Sequence, residues 1–525
     1  MFDVSKISEA VKYEGGFSRR LFLAYGAALS SIPFVAARAE GPVVRRPKTD
    51  GDPFTCGVAS GEPDHESVAL WTRLAPRPKE GGGMPREAVE VQWEVAEDDA
   101  MKNVVQKGTT FATPQLAHSV HVEVNGLKPD RWYWYRFRIA NAESPVGRTR
   151  TMPHPHTLPE KLKFAFASCQ HFEGGFFTCY QHMAKDELDL VIHLGDYIYE
   201  GPGRGEEPRR HVGPKLQTLA DYRNRHGQYH SDPLLVAMHQ QCPWLVTWDD
   251  HEVENDYANH ISQDKGMDPV KFLEQRANAY QAYYEHMPLR RMSVPHGPDM
   301  KIYRTINFGR LASFQVLDTR QYRTDQPEET ELTGEVVSPK NTILGSKQAK
   351  WLKGALLRSP ATWNVIAQQV LMAMVGREFE GVRRYSMDKW TGYVHDRISL
   401  VKFMEERQVS NPVVLTGDIH SSWVNDLRVD DRKLDEPVVA TEFVGTALSS
   451  NGNAGPETEG LEDLLLANPH VKFHNRQSGY VRCTITPEEW RTDFPVCAEI
   501  VKPNGPVRIA GSYVVEAGKP GAMPV

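Results

Sequence analysis

The feature that most constrains this chain is a series of buried strands that end in polar side chains. After residue 161, short apolar runs alternate with amphipathic helical stretches at 346–359 and 395–408. The runs are LKFAFAS, DLVIHLGD, WLVTWDD, ASFQVLDTR, TWNVIAQQ and PVVLTGD. Strands that alternate with helices predict an α/β core for residues 161–525.

Residues 42–150 have a different pattern, in which apolar and polar side chains alternate along short runs. The runs are SVALWTRL, VEVQWEVAE, HSVHVEVNGL and WYWYRFRIA. This period of two, without helical runs, predicts a small β-sandwich of the immunoglobulin or fibronectin type III kind. Leu127, Pro129 and Tyr133 have the spacing of a fibronectin tyrosine corner, so Tyr133 is predicted to tie a turn to a strand. The Pro-rich stretch 151–160 is predicted to be a linker.

The beginning of the chain predicts export. FSRRLFL (17–23) precedes a weakly hydrophobic run that ends at the small-residue site ARA (37–39). This pattern is typical of a twin-arginine signal peptide, residues 1–39, cleaved after Ala39. The expected partner is the twin-arginine export machinery, and the expected location is periplasmic or extracellular. We expect no stable membrane span after cleavage, because no later segment is sufficiently apolar.

Charge and cysteine usage exclude other classes of protein. The formal net charge of −7, without a long basic run, argues against sequence-specific binding of nucleic acid. The six cysteines have no repeat spacing and no CxxC pair, so no disulfide framework is predicted. Among the other polar residues, His193 and Cys179 are predicted to pack in the core, and the histidine-containing stretch 226–232 is predicted to lie at the surface.

Four of the predicted strands end in side chains that commonly bind metals. One such ending is ordinary turn chemistry, but the strand ends of an open α/β sheet converge, so four together predict a site. The side chains are Cys169, Asp196, Tyr199, Asp249, Asp250, His251, Asp418 and His420.

The donor types divide into two groups that share one carboxylate. A thiolate, a phenolate, a carboxylate and an imidazole suit Fe³⁺. This group consists of Cys169, Asp196, Tyr199 and His420. An almost purely oxygen-donating group suits Ca²⁺. It consists of Asp196, Asp250, Asn255 and Asp418. We therefore predict Fe³⁺ beside one or two Ca²⁺ ions, with Asp196 as the bridge.

Six motifs resemble the signature blocks of the alkaline phosphatase D (PhoD-like) family. They are FTCGVASGEPDHESVALWTRL (54–74), SCQ (168–170), GDYIY (195–199), TWDDHEVENDY (247–257), DKWTGY (388–393) and GDIHSSW (417–423). The resemblance covers essentially the whole chain. It implies a metallophosphoesterase-like core of two packed sheets flanked by helices, and a secreted, Ca²⁺-dependent phosphatase or phosphodiesterase that also contains iron.

The expected reaction is hydrolysis of a phosphate ester by metal-activated hydroxide, without a covalent intermediate. His251 is predicted to protonate the leaving oxygen or to hydrogen-bond the phosphoryl group, and Asp249 to orient it. Arg320 is predicted to bind a substrate oxyanion. A structural pair between Asp318 and Arg320 is an equally good interpretation.

Substrate choice stays open at the level of the sequence. Ser478 and the loop 449–460 are expected to line the substrate mouth. A phosphodiesterase or phospholipase D-type enzyme, acting on nucleotides, wall polymers or phospholipids, would use the same metals. A non-catalytic calcium-dependent binding protein is the alternative from another class, but calcium binding alone does not require the full set of converging ligands.

Overall fold

The structure is a computed structural model that describes residues 43–45, 51–140, 142–204 and 208–525. The predicted signal peptide, residues 1–39, lies outside the described residues. The first strands are β1 (Val43–Val44), β2 (Val58–Gly61), β3 (Ser67–Arg73), β4 (Ala88–Ala96), β5 (Val104–Ala112), β6 (Ser119–Asn125), β7 (Trp132–Ile139), β8 (Ala142–Glu143) and β9 (Gly147–Arg150). The four strands predicted between residues 67 and 140 are confirmed as β3, β4, β6 and β7.

These strands form two facing layers around one apolar core. One layer is a sheet of β1, β4, β5, β7, β8 and β9, and the other is formed by β2, β3 and β6. Val68 and Val91, one from each layer, both lie in the core between the layers. Tyr133 accepts a hydrogen bond at 2.9 Å from the backbone N–H of Lys128, so the predicted tie between turn and strand is confirmed. Residues 151–160 form no helix or strand.

The rest of the chain contributes long sheets and the helices that cover them. The strands are β10 (Leu162–Ala167), β11 (Leu190–His193), β12 (Trp244–Val246), β13 (Arg304–Phe308), β14 (Ala312–Val316), β15 (Trp363–Ala367), β16 (Arg377–Phe379), β17 (Val382–Arg384), β18 (Pro412–Thr416), β19 (Ser422–Leu427), β20 (Ala440–Val444), β21 (Val471–Asn475), β22 (Val481–Ile485), β23 (Glu489–Cys497), β24 (Val507–Glu516) and β25 (Lys519–Pro524). The α-helices are α1 (Thr178–Met183), α2 (Leu219–Tyr229), α3 (Pro233–His239), α4 (Pro269–His286), α5 (Gly345–Arg358), α6 (Val394–Glu406) and α7 (Leu461–Ala467). Short 3₁₀ turns span Pro114–Leu116, Arg291–Ser293, Gly334–Val337 and Trp390–Tyr393.

Two large sheets pack face to face and form the mixed α/β core. The first has the order β25-β24-β23-β22-β10-β11-β12-β2-β3-β6, and the second has the order β13-β14-β15-β18-β20-β19-β21. Phe164 and Phe314, one from each sheet, lie in the shared core with their ring centroids 5.4 Å apart. A small β16–β17 hairpin stands apart from both sheets.

The outer faces of the two sheets are covered by helices. Side chains of α1 to α4 pack against the first sheet, and those of α5 to α7 pack against the second. Several helix starts are encoded locally. Thr218 and Asp221 form a reciprocal capping box at α2, and Asp268 caps α4 directly before Pro269. The helices predicted at 346–359 and 395–408 are confirmed as α5 and α6.

The first sheet crosses the predicted domain boundary. Gly61 of β2 pairs with Trp244 of β12, so one layer of the N-terminal sandwich continues the sheet of the core. The boundary between 42–150 and 161–525 stays a prediction, since the backbone pairing runs through it.

The prediction that residues 226–232 lie at the surface is wrong. His226 and His230 are at most 1% exposed. The polar side of α2 packs against α4, where the ring of His226 stacks on His286 with centroids 4.8 Å apart. Arg73 Nη1, from β3, lies 2.8 Å from His286 Nε2. His193 and Cys179 are buried as predicted. Among the described residues, no helix combines the length and the apolar character needed to cross a membrane.

Candidate active site

The predicted ligands follow four strands whose ends meet at one edge of the two sheets. β10, β11 and β12 run parallel and lead to Cys169, Asp196 and Asp250. β18, in the facing sheet, leads to Asp418 and His420. Parallel strands present their carboxyl ends together, so loops far apart in the sequence converge there.

Four of the predicted ligands have a strained backbone conformation. Cys169, Asp196, Asp418 and His420 have φ between 55° and 60°, a left-handed conformation that side-chain-bearing residues rarely adopt. Such strain persists only where the surroundings enforce it, and it is typical of functional sites. Gly195 precedes Asp196 because a Cβ at this position would lie 2.4 Å from the backbone nitrogen of Asp249. The glycine thus lets two ligand loops touch.

The structure brings predicted site residues into two groups that share Asp196, and the predicted ligand Asp418 is in neither. Ligand atoms within each group lie within 4.8 Å of one another. The first group is Cys169, Asp196 and His420, and the second is Asp196, Asp250 and His251. An overlap of this kind suits a carboxylate that bridges two cations.

Tyr199 adds a phenol to the first group. Its Oη donates a hydrogen bond to Asp196 Oδ2 at 3.0 Å and lies 3.3 Å from His420 Nε2. Ser450, from the loop 449–460, lies 2.8 Å from the same oxygen. GDxxY therefore folds Tyr199 back toward the carboxylate three residues before it, as the spacing predicts.

The electrostatics of the site favour cations. Burial raises the pKa of Asp196 well above its ordinary value, and Asp250 and Asp249 reinforce the shift although His251 opposes it. Asp196 Oδ1 and Asp249 Oδ2 are buried without a hydrogen-bond partner among the described residues. Burying ionised carboxylates without compensation is costly, and cations of high charge offset that cost. The donor types and these unpartnered oxygens fit the predicted metals.

His251 lies at the rim of the second group and is partly exposed. Its Nδ1 is 2.7 Å from Glu200 Oε2. Burial alone would lower its pKa, but the charges of Asp196, Asp250 and Glu200 outweigh burial and raise the pKa well above the ordinary value. The carboxylates around the ring therefore favour its protonated form.

Arg320 lies inside the wall of the site and is 0% exposed. Its Nε donates to Asp249 Oδ1 at 2.5 Å, and Nη1 and Nη2 donate to the two oxygens of Asp388 at 2.6 and 2.9 Å. Asp318 accepts from the backbone N–H of Arg320 and not from the guanidinium. The guanidinium thus organises carboxylates, and its contact with a substrate oxyanion stays a prediction.

Asp418 is held by cationic side chains. Lys389 Nζ donates to Asp418 Oδ2, and Arg320 Nη2 lies 3.6 Å from Asp418 Oδ1. The side-chain amide nitrogen of Asn255 donates to Gln263 Oε1 at 3.0 Å, and its amide oxygen is the atom that could ligate. Its role as a ligand stays a prediction.

Ser478 does not line an open mouth. It is 1% exposed, and its Oγ donates to the carbonyl of Gly452 at 2.9 Å. The expectation for Ser478 is therefore corrected, because this buried residue anchors the loop 449–460 through its hydrogen bond to Gly452. Two residues of that loop reach predicted ligands through their side chains: Ser450 contacts the phenol of Tyr199, and Asn451 donates to the backbone carbonyl of His420.

Sequence reasoning missed four residues that position the site. Glu252 accepts hydrogen bonds from the backbone N–H groups of Asp249 at 2.7 Å and of Asp196 at 3.1 Å, so it joins two ligand loops. Burial raises its pKa to about 7. The other three are Glu200, Asp388 and Lys389. All four lie in or directly beside the motifs quoted from the sequence, and this position could have identified them as candidate site residues.

Comparison with known proteins agrees with this geometry. The sequence model of the PhoD-like phosphatase family matches residues 164–494, and the model of the PhoD-like phosphatase N-terminal domain matches residues 38–153. Alkaline phosphatase D of Bacillus subtilis (strain 168) is 46% identical over 534 residues, which cover 99% of this chain and 91% of that protein.

A solved structure described as the structure of PhoD is 48% identical to the chain. It covers 91% of this chain and 93% of its own, with a TM-score of 0.89. The similarity therefore includes the N-terminal sandwich, the two packed sheets and the converging strand ends. The chain belongs to the PhoD-like phosphatase family and is a phosphoric ester hydrolase.

Proposed function

We propose that this hydrolase acts with Fe³⁺ and one or two Ca²⁺ ions. Cys169, Tyr199, Asp196 and His420 would hold the iron, and Asp250, Asp418 and Asn255, with Asp196 shared, would hold calcium. The observation that carries the proposal is that Asp196 belongs to both ligand groups while its Oδ1 is buried without a partner. When bound, such ions supply the charge that makes water a strong nucleophile and that neutralises the phosphoryl oxygens.

We propose that His251 delivers a proton to the leaving oxygen. Glu200 occupies Nδ1 and fixes the ring, which leaves Nε2 as the nitrogen that can face the substrate. The P–O bond to the leaving group breaks as the water oxygen bonds to phosphorus, so no covalent intermediate with the protein is required. Arg320 and Lys389 act on the reaction indirectly by holding Asp249 and Asp418 in position.

A cavity beside the site supports the diester alternative. It has a volume of about 280 Å³ and borders Lys389 and Ile419, the residue after Asp418. Arg377 and Arg384, on the β16–β17 hairpin, also line it. A diester carries a second substituent, and this cavity offers room for one next to the proposed centre.

Steady-state hydrolysis distinguishes these activities. The chain lacking residues 1–39 is assayed with p-nitrophenyl phosphate and bis(p-nitrophenyl) phosphate, in calcium and after EGTA. EGTA-sensitive turnover with the monoester preferred supports the monoesterase. A diester preference supports the alternative. Binding of calcium without turnover of either substrate, in metal-loaded protein, would favour the binding protein.

We also propose that the chain is exported through the twin-arginine pathway to the periplasm or the extracellular space. The support is the pair Arg19 and Arg20 before a weakly hydrophobic run. Replacing both by lysine is expected to retain the precursor in the cytoplasm, as fractionation and immunoblotting would detect. Export of that variant at the unchanged level would contradict this assignment.

We further propose a metallophosphoesterase-like core and a fibronectin type III-like sandwich. The two facing sheets with helices on both outer sides support the first assignment. The hydrogen bond between Tyr133 and Lys128 supports the second.

A further inference from the structure

A separate group of donors lies behind the proposed centre and contains none of the predicted ligands. It consists of His171, Glu173 and His211, whose ligand atoms all lie within 4.8 Å of one another. His171 and Glu173 follow β10 just beyond Cys169, whereas His211 lies between β11 and α2. Two imidazoles and a carboxylate that converge from distant parts of the chain form a common ligand set for zinc.

His211 is the most informative member of the group. Its side chain is 0% exposed, and its Nδ1 has no hydrogen-bond partner among the described residues. That nitrogen lies 3.9 Å from Glu173 Oε2, too far for a hydrogen bond. The other nitrogen, Nε2, lies 3.0 Å from Tyr229 Oη.

Neither tautomer of His211 satisfies Nδ1. If Nδ1 carries the proton, its N–H makes no hydrogen bond of good geometry to a described residue, although the carbonyl of Gly201 lies near the ring. If Nε2 carries the proton and donates it to Tyr229, a lone pair on Nδ1 faces the carboxylate of Glu173. A cation between Nδ1 and Glu173 Oε2 removes the conflict, because it accepts both lone pairs. In that case Tyr229 holds the outer nitrogen of the ligand, an arrangement usual for histidines that bind metals.

Glu173 is fixed in the orientation that such a site needs. Its Oε1 accepts the backbone N–H groups of Arg204 at 3.0 Å and His211 at 2.9 Å. Oε2 is the oxygen directed at His211 Nδ1. His171 is only partly buried, so water can reach a fourth position of the metal.

We propose that His171, Glu173 and His211 bind a divalent first-row transition ion, with Zn²⁺ as the best match to the ligand types. The site is additional to the Fe³⁺ and Ca²⁺ centre. The ring of His171 packs edge-on against Tyr199, with centroids 4.4 Å apart. An ion bound by His171 would therefore hold in place the ring against which Tyr199 packs. It would also join the loop after β10 to the segment before α2.

Co²⁺ tests this site, because its visible absorption reports nitrogen and oxygen ligation. The full chain is stripped with a chelator and titrated with Co²⁺ as the Cys169→Ser variant, which lacks the thiolate of the proposed iron ligands. We expect an absorption band that saturates at one equivalent and that Zn²⁺ displaces. Introducing Glu173→Gln into this background is expected to abolish the band.

Glu173→Gln keeps the acceptor for both backbone N–H groups, so the fold is expected to survive, and circular dichroism checks this. His182→Asn is the matched control, because His182 is a partly buried histidine outside the donor group whose ring lies 2.8 Å from the carbonyl of Gly505. It should retain the band. Persistence of the band in Cys169→Ser/Glu173→Gln, or absence of any band in Cys169→Ser, would overturn the proposal.

Tyr229→Phe provides a graded second readout. Loss of the phenol should weaken Zn²⁺ binding by about 10–100-fold without abolishing it, because the ligand keeps its position but loses its hydrogen-bonded partner. Competition with a chromophoric chelator measures this change. Unchanged affinity would contradict the ligand role of His211. These measurements follow metal binding and not turnover, and they use a variant that lacks a proposed iron ligand. The result therefore does not depend on whether the proposed Fe³⁺ and Ca²⁺ centre is correct.

Discussion

The motif GDYIY separates two regions that share residue types but differ in charge. Asp196 and Tyr199 face the ligand groups, where carboxylates outnumber the cationic side chains. Tyr197, between them in the sequence, faces the opposite way. Its Oη lies 2.8 Å from His239 Nε2 and 3.2 Å from His230 Nε2, in the buried histidine cluster formed by His226, His230, His239 and His286.

Two histidines, one from each region, have pKa values that shift in opposite directions. Burial lowers the pKa of His230 to about 3, with the nearby charge of Arg73 adding to the shift. The pKa of His251 is raised, because Asp196, Asp250 and Glu200 outweigh its burial. Burial alone therefore lowers the pKa of a histidine, whereas the three carboxylates around His251 raise it. For His420, burial outweighs Asp418 and lowers the pKa to about 4. The three buried carboxylates around His251 make the first region a suitable binding site for cations.

The largest expected effect comes from removing the shared carboxylate. Asp196→Asn should lose bound metal and turnover together, by more than about 10⁴-fold in kcat/KM, because the metals supply most of the rate enhancement. Metal analysis and steady-state kinetics measure both. Tyr197→Phe is the matched control. It should keep its metal and lose about 1–3 kcal/mol of stability, since His230 and His239 lose a partner. Equal metal loss in both variants would contradict the assignment of metal binding to Asp196 and not to the region around Tyr197.

Removal of the charged histidine comes next. His251→Ala should keep its metal content and lose roughly 10²–10⁴-fold in kcat, because a general acid is missing. The loss should shrink for p-nitrophenyl esters, whose leaving group needs little protonation, and grow for an alkyl phosphate. Equal losses for both leaving groups would exclude proton donation by His251.

A third test concerns two thiols in the second region, the core that contains Tyr197 and the buried histidine cluster. Cys179 and Cys497 are buried in the same core as Tyr197, and their sulfur atoms lie 2.8 Å apart without a bond. Refolding with oxidised glutathione should join them, with the two electrons and two protons passing to glutathione. The cross-link should add about 2–4 kcal/mol of stability. Non-reducing peptide mapping detects it, and Cys179→Ser is the control. Absence of the linked peptide would show that the thiols are held apart.

The smallest expected effect is the acid sensitivity of the histidine cluster. Its rings stay neutral in the folded chain but protonate near pH 6.5 when unfolded. Their contribution to stability is therefore complete above about pH 6.5 and declines as the pH falls toward the folded pKa, about 3 for His230. His226→Phe should reduce the pH dependence of the unfolding free energy by up to about 1.4 kcal/mol per pH unit. Urea titrations at several pH values measure this slope, and an unchanged slope would mean that His226 is already charged in the fold.

The two regions also differ in how well the sequence predicts them. Strand ends converge by a general rule of α/β sheets, so Cys169, Asp196 and Asp418 could be grouped without knowledge of the helices. The burial of His226 could not be predicted, because α2 is polar on most sides and its buried side is decided by α4 and Arg73. The position of Arg320 was missed for a similar reason, since Asp388 approaches it from a distant loop.

The backbone pairing between Gly61 and Trp244 bears on how the chain matures. β2 and β3 are synthesised early, but β2 meets β12 only after the intervening segment has emerged from the ribosome. Until then β2 presents an unpaired edge to which other chains can add. Contacts this distant in sequence also slow folding. We expect nascent chains that stop before β12 to be the aggregation-prone species and a natural substrate for chaperones.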